Sequence, residues 1–227
     1  MAGRFGQHPG MLRALVFTGL LAAVSPAGAE AEKWESLFDG KTLEGWESAK
    51  GGKPGESWKV EDGAIHRSGG SGDIISEKEY GDFILEFEWK IAAGGNSGVK
   101  YRVRKSPGGW LGPEYQVLDD AGHPNGKVAD TSAASVYEVV APSANKIAAP
   151  AGHWNKSRII AKGTKLTHFL NDQKVVEIDT ASKEWEEMKK ASKFAKMEDF
   201  ARPGKGRILL QDHGDEVWFR KLRIEKL

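Results

Sequence analysis

The sequence predicts an all-β sandwich or jelly roll with one short helix, and three observations support this fold class. Short segments in which apolar and polar residues alternate recur along the chain, as in strands whose side chains point to opposite faces of a sheet. Glycine-rich turns separate these segments, and the chain holds 28 glycines. No alternation of strands with helices is present, which argues against an α/β fold.

The N-terminus has the pattern of a secretory signal peptide. Arg4 and Arg13 supply its positive charge, residues 14–24 form an apolar run too short to span a bilayer comfortably, and Ala27–Ala29 matches a small-residue cleavage site. We therefore expect residues 1–29 to be removed after Ala29 and residues 30–227 to form one domain, periplasmic or secreted. The alternative is an N-terminal membrane anchor.

Composition excludes several classes of protein. The chain has 227 residues, a net charge of +1 and no cysteine. The near-neutral charge argues against nucleic acid as a partner. The absence of cysteine excludes a thiol nucleophile, a cysteine–zinc site and a lipid-modified cysteine, so we expect no membrane attachment after signal cleavage.

The first long strand is predicted over residues 82–91, after several short apolar segments. Leu85, Phe87 and Trp89 share one face of it. A turn at Gly94 and Gly95 then leads to a second strand, and the pattern predicts a hairpin.

The remaining elements follow in order. In the second strand, residues 97–104, Val99, Tyr101 and Val103 are predicted to share one face. Further strands are predicted at residues 114–119, 136–141, 155–161, 166–171, 174–178, 207–211 and 216–223. A helix is predicted within residues 183–199, with Ser182 as its N-cap, and its lysines are interpreted as a solvated face.

Polar side chains lie on the strands opposite the apolar face. Glu88, Arg102, Glu114 and Gln116 point this way by the period-two rule. If their strands are neighbours, they gather on one sheet surface suited to binding sugar hydroxyls. The alternative is the ordinary solvated side of an antiparallel sheet.

Loop residues offer further candidates. Trp110 lies in a Gly/Pro-rich loop, where its ring could stack on a sugar. His123 follows Asp119 and Asp120, and His213 follows Gln211 and Asp212. These two clusters could form an acid/base or metal site only if the fold brings them together; otherwise they are surface histidines.

The opening Leu37–Trp46 segment, LFDGKTLEGW, resembles the opening motif of the 3-keto-disaccharide hydrolase domain family. Several specific motifs carry this resemblance, which extends over residues 35–227. The other matching segments are residues 82–90, 96–102, 114–119, 152–155, 168–171 and 206–214.

The resemblance implies a concanavalin-A-like jelly roll of two antiparallel sheets and an enzyme that cleaves glycosides already oxidised at carbon 3. His123 or Glu114 would act as base, Arg102 as stabiliser of the enolate, and Glu88 or Asp119 as acid or orienting group. A divalent metal could replace Arg102; no other cofactor is expected. The residues expected to bind the sugar are Asn96, Trp110, Gln116, Tyr137, Gln211 and His213.

Departures from the family pattern, and two other classes of function, keep alternatives open. Ser135, Asp172 and Lys221 stand where the family commonly has other residues, and we expect the change at Ser135 to alter the floor of the site and with it the choice of substrate. The alternatives to an enzyme are a non-catalytic carbohydrate-binding module and a structural domain of the cell envelope. As an enzyme, the protein would act downstream of a sugar 3-dehydrogenase.

Overall fold

A computed structural model describes residues 33–227, together with residues 1–3 and 6. The predicted signal peptide therefore lies almost entirely outside the described residues. The described chain forms two antiparallel sheets and one α-helix, which confirms the predicted fold class. No helix in this part of the chain is long and apolar enough to cross a membrane.

The larger sheet has eight strands. They are β1 (Trp34–Ser36), β3 (Trp58–Glu61), β4 (Ala64–Arg67), β6 (Phe83–Ile91), β10 (Asn155–Lys162), β11 (Lys165–Leu170), β12 (Gln173–Asp179) and β14 (Val217–Lys226). Their order is β12-β11-β10-β6-β14-β4-β3, with β1 also paired to β14.

The smaller sheet has six strands. They are β2 (Trp46–Ser48), β5 (Ile74–Ser76), β7 (Asn96–Ser106), β8 (Gly109–Leu111), β9 (Glu114–Leu118) and β13 (Arg207–Leu210). Their order is β2-β5-β13-β7, and β8 and β9 pair with successive parts of β7.

The core lies between the two sheets, as the alternating sequence pattern requires. Phe87 of β6 meets Tyr115 of β9 edge-to-face, with ring centroids 5.4 Å apart. Phe83 and Tyr101 pack in the same manner at 6.2 Å. Aromatic pairs of this geometry from opposite sheets fix how the sheets face each other.

The predicted hairpin between the two long strands is wrong. β6 pairs with β10 and β14, whereas β7 pairs with β13, β8 and β9 in the other sheet. Gly94, with φ of 69°, lies in the turn that carries the chain from one sheet to the other. Apolar and polar residues alternate in the same way whether the two strands pair as a hairpin or the chain crosses from one sheet to the other.

A β-bulge interrupts β7 and overturns part of the face assignment. Arg102 has φ of 49°, and the pairing with β13 shifts beside it. Val99 and Tyr101 face the core as predicted, but Val103 packs with Ile75 in a small separate cluster. The extra residue reverses the alternation after the bulge.

One other strand prediction differs from the structure, and the short helix predicted within residues 183–199 is present. Residues 136–141 form a tight turn closed by a hydrogen bond from Val136 N to Val140 O, not a strand. The helix α1 covers Lys183–Ala191 and begins at the predicted N-cap, where Ser182 Oγ accepts from Trp185 N. It ends at Ala191 because the Ser192 hydroxyl donates to Lys189 O and accepts from Phe194 N.

Candidate active site

A polar pocket of about 150 Å³ opens on the outer face of the six-stranded sheet. Its size is below the roughly 300–1,000 Å³ of sites for drug-sized ligands, which favours a single sugar ring. Its lining comes from the sheet, from the turn after β9 and from the segment after α1. The lining residues are Asn96, Lys100, Trp110, Leu111, Gly112, Glu114, Gln116, Tyr137, Lys193, Phe194, Gln211 and His213.

The floor of the pocket is built by the register between β7 and β9. Lys100 lies opposite Glu114, and Gly98 lies opposite Gln116. Side chains of directly opposed residues point to the same face of an antiparallel pair. The floor therefore places an ammonium group, a carboxylate and an amide side by side, with Lys100 Nζ 3.5 Å from Glu114 Oε2.

The Glu114 carboxylate lies over Gly98, which has no side chain. A Cβ at residue 98 would stand 2.5 Å from Glu114 Oε1 and 2.8 Å from its Cδ. A side chain there would displace the carboxylate. Gly98 thus fixes where the Glu114 charge can lie, and Gln211 Nε2 approaches the same carboxylate at 3.5 Å.

Burial dominates the electrostatics of Glu114, whose residue surface is 8% exposed. Desolvation raises the pKa of its carboxyl group, while the nearby Lys100 and Lys193 oppose this rise. The charge of Asp73 raises the pKa further. A partly desolvated carboxylate with a raised pKa is a stronger base than a solvated one.

Two buried amide oxygens have no partner within the described part of the chain. They are Oε1 of Gln116 and Oε1 of Gln211, and both residues line the pocket. Gln116 Nε2 is already engaged, since it donates to Asn96 Oδ1 at 3.2 Å. Buried acceptors without partners are costly, and vicinal hydroxyl groups of a sugar would satisfy them.

The turn at residues 136–141 and the segment after α1 form one wall of the pocket. Lys193 Nζ lies 4.4 Å from the centroid of the Tyr137 ring and 3.3 Å from Glu138 Oε2. The ring of Phe194 stacks on that of Phe200, with the ring centroids 3.8 Å apart. Burial and the neighbouring Glu138 raise the pKa of Tyr137 to about 12, so its hydroxyl stays protonated.

Asp212 anchors the loop that carries Gln211 and His213. Its carboxylate accepts from Ser71 N and Gly72 N at 2.7 Å each. It also forms an ion pair with the buried Arg67, whose Nη2 lies 2.5 Å from Asp212 Oδ1. Burial alone would raise the pKa of Asp212, but these contacts outweigh it and lower the pKa. These contacts fix Asp212 against the neighbouring loop, and the exposed His213 follows it at the mouth of the pocket.

The expectation that Glu88 and Arg102 share a surface with Glu114 and Gln116 is wrong. Glu88 lies on the outer face of the other sheet, where its carboxylate binds Arg220 Nε and Lys221 Nζ at 2.7 Å each. Burial opposes these contacts, yet they lower the pKa of Glu88.

Arg102 is buried at one end of the sandwich because of the bulge. It donates to Gly81 O at 3.0 Å, Gly163 O at 2.8 Å and Asp82 Oδ1 at 2.7 Å. All three partners are loop groups at the ends of strands in the larger sheet. Arg102 therefore links the two sheets by hydrogen bonds and lies outside the pocket lining.

Asp119 and His123 lie in the loop after β9 and do not line the pocket. Asp119 accepts from Gly94 N at 2.7 Å and Ala121 N at 3.2 Å, which closes the loop. His123 Nδ1 accepts from Asn125 N at 3.1 Å and caps a 3₁₀ turn, Pro124–Lys127. These contacts give both residues a local structural role.

Seven predicted residues do line the pocket: Asn96, Trp110, Glu114, Gln116, Tyr137, Gln211 and His213. Lys100, Lys193 and Phe194 line it too but were not predicted. Lys100 could have been found, since it lies on the polar face of β7. The sequence pattern places Lys193 on a solvated face, and nothing local to it in sequence shows that the chain folds back.

No group of three or more His, Asp or Glu side chains in the described residues converges as a metal site would require. The acidic and imidazole groups of the pocket are spread along its floor and mouth instead. We therefore derive no step through a metal.

Comparison with known proteins gives three results. A family model described as the 3-keto-alpha-glucoside-1,2-lyase-like domain matches residues 33–225. A Bacteroides thetaiotaomicron protein named 3-keto-disaccharide hydrolase is 33% identical over 232 aligned positions, covering 87% of this chain and 80% of the relative. A crystal structure of a candidate glycosyl hydrolase from Parabacteroides distasonis has 31% identity and a TM-score of 0.79, covering 90% of this chain and 98% of its own.

A more distant structure shows the fold alone. The carbohydrate-binding module CBM66 from Bacillus subtilis superposes with a TM-score of 0.51 at 15% identity, covering 80% of this chain and 96% of the module.

Proposed function

The chain belongs to the 3-keto-alpha-glucoside-1,2-lyase-like domain family, and from this premise we propose that its pocket cleaves glycosides already oxidised at carbon 3. The observation that carries the proposal is the buried carboxylate of Glu114, with Lys100 Nζ 3.5 Å away in a pocket sized for one sugar ring. This pair offers a base beside a fixed positive charge.

A 3-keto group makes this chemistry accessible because it acidifies the proton at carbon 2. The base removes that proton, and the electron pair forms an enolate with the charge on the carbon-3 oxygen. The enolate then expels the glycosidic oxygen from carbon 1, a carbon 1–carbon 2 double bond forms, and the departing oxygen takes a proton. Addition of water across the new double bond returns a proton to carbon 2 and completes net hydrolysis.

One side chain of the pocket is assigned to proton removal, one to enolate stabilisation and one to protonation of the leaving oxygen. Glu114 is the base, because burial strengthens it and Gly98 leaves it room. Lys100 takes the enolate-stabilising role first expected of Arg102, since a fixed positive charge lowers the energy of a developing oxyanion. His213, exposed at the mouth, donates the proton to the leaving oxygen.

Substrate recognition is proposed to rest on the amide groups of the floor. The Oε1 atoms of Gln116 and Gln211 accept from sugar hydroxyls, and Trp110 contributes an aromatic side chain to the pocket lining. The substrate must be made by oxidation of a hydroxyl at carbon 3, so a sugar 3-dehydrogenase would act before this protein. Export with cleavage after Ala29 is also part of the proposal.

The decisive experiment is release of the leaving group from a 3-keto-glucoside by the purified protein, beside the unoxidised glucoside. We expect E114Q to lower kcat/KM by about 10²- to 10⁴-fold, the usual worth of a general base. The matched control is E88Q, the same change on the opposite sheet, which should leave kcat/KM unchanged. Because the base must be ionised, activity should fall as the pH drops through a pKa above the ordinary value of 4.5.

Three results would overturn parts of the proposal. Equal activity of E114Q and wild type would remove Glu114 as base. Loss of activity with EDTA would transfer the electrophilic role from Lys100 to a metal. Binding of plain glycans without release from any keto-glycoside would leave a carbohydrate-binding module in place of an enzyme.

A further inference from the structure

A second cleft, of about 360 Å³, adjoins the pocket. It lies between the β7–β8 hairpin and residues 199–205, a segment that we call the strap. Leu111 lines both the cleft and the pocket, so the two spaces share a wall. The cleft therefore lies next to the pocket, on the other side of Leu111.

Positive charge predominates in the cleft. Four of its lining residues are basic, and one is acidic. The acid, Asp199, forms an ion pair with Arg202 at 3.0 Å. Among the described residues no carboxylate lies within ion-pair distance of Arg104, Lys105 or Lys205, which leaves three uncompensated charges.

Arg104 makes the charged wall a fixed structure. Its Nε, Nη1 and Nη2 atoms donate to three strap carbonyl groups, those of Lys205, Arg202 and Pro203, at 2.8, 2.9 and 3.0 Å. These bonds engage three of the five guanidinium N–H groups and leave the charge of Arg104 unneutralised. The positive potential is thus held in place beside the pocket, and the exposed Lys105 and Lys205 add to it at the rim.

From this arrangement we propose that the cleft binds an acidic group on the leaving-group side of the substrate, so that the preferred substrates are 3-keto-glycosides with a carboxylate in the leaving group. The inference rests on the proposed function, because it takes the sugar ring to occupy the neighbouring pocket. The pocket is sized for one ring, so the next part of the substrate must extend beyond it, and the adjoining space across Leu111 is positively charged.

The test compares two 3-keto-glucosides with leaving groups of similar size, 4-carboxyphenyl and 4-carbamoylphenyl. Wild type should prefer the carboxylate at low ionic strength, and K105Q/K205Q should reduce that preference by about three- to tenfold, since exposed charges contribute modestly. Salt should reduce the wild-type preference as well. The matched control is K59Q/K165Q, which removes two exposed lysines from the other sheet.

A second pair of substrates identifies the source of the acid. A 3-keto-disaccharide whose leaving sugar is glucuronic acid is compared with one whose leaving sugar is glucose. A larger preference here than in the aryl pair identifies an acidic sugar as the natural leaving group; the reverse identifies an aromatic acid.

The outcomes separate the two proposals. Equal preference in K105Q/K205Q and K59Q/K165Q would overturn the acidic subsite and leave the proposed function intact. If neither keto-glucoside is cleaved, the proposed function fails, and the cleft is tested directly by titrating 4-hydroxybenzoate against the wild type and both double variants by NMR. Equal binding by the two double variants would then overturn the cleft as an anion site.

Discussion

His168 should make the stability of this protein depend on pH, although it lies outside the pocket. Its side chain is fully buried on β11. Nδ1 lies 2.9 Å from Ala134 O, and Nε2 lies 2.9 Å from the Tyr101 hydroxyl. Because a carbonyl oxygen only accepts, Nδ1 carries the proton and Nε2 accepts from Tyr101.

Burial lowers the pKa of His168 from 6.5 to about 4. The unfolded chain therefore binds a proton more readily than the folded one between these two values. The contribution of His168 to stability is fully present above pH 6.5 and is lost as the pH falls through 4. At 1.36 kcal/mol per pKa unit, the loss is about 3 kcal/mol.

The variant H168Q isolates this effect because glutamine does not titrate. At pH 7.5 we expect it to be less stable than the wild type by about 2 kcal/mol, since it makes poorer hydrogen bonds in a buried site. Near pH 4 that difference should disappear or change sign. Urea unfolding of both proteins from pH 7.5 to pH 4 measures it.

A buried apolar variant on the same strand supplies the control. L166A should be destabilised by about 2–5 kcal/mol, and its difference from the wild type should not vary with pH. A constant difference between H168Q and the wild type across the range would refute the depressed pKa. The test matters for the site because Ala134, whose carbonyl group accepts from His168, lies two residues before the turn that carries Tyr137.

Two further predictions concern residues that sequence patterns undervalue or misplace. G98A should keep its fold but lose about 10²-fold in kcat/KM. The new Cβ would stand 2.5 Å from Glu114 Oε1 and displace the carboxylate. Unchanged kinetics with an unchanged melting temperature would contradict the role of Gly98. R102M should lower the free energy of unfolding by about 3 kcal/mol, since it leaves Asp82 and two carbonyl groups without their partner. The kcat/KM of the folded protein at 25 °C should stay within about twofold of the wild-type value. A large loss in kcat/KM would return Arg102 to the catalytic residues.

Sequence pattern alone determined the local structure of most strands. Alternation placed Leu85, Phe87 and Trp89 on the core face of β6, and the N-cap rule located the start of α1 at Ser182. Alternation also put Glu114 and Gln116 on the polar side of β9. These features depend on residues adjacent in sequence, so the chain itself carries the information.

Which sheet each strand joins, and which polar side chains meet, was decided only by the tertiary structure. The turn at Gly94 sends β6 and β7 to different sheets, so Glu88 and Glu114 lie on opposite sides of the sandwich. The bulge at Arg102 carries its guanidinium to the end of the sandwich, and the segment after α1 brings Lys193 beside Tyr137. A period of two records the face on which a side chain lies but not the neighbour of its strand, because strand pairing depends on contacts between residues far apart in the chain.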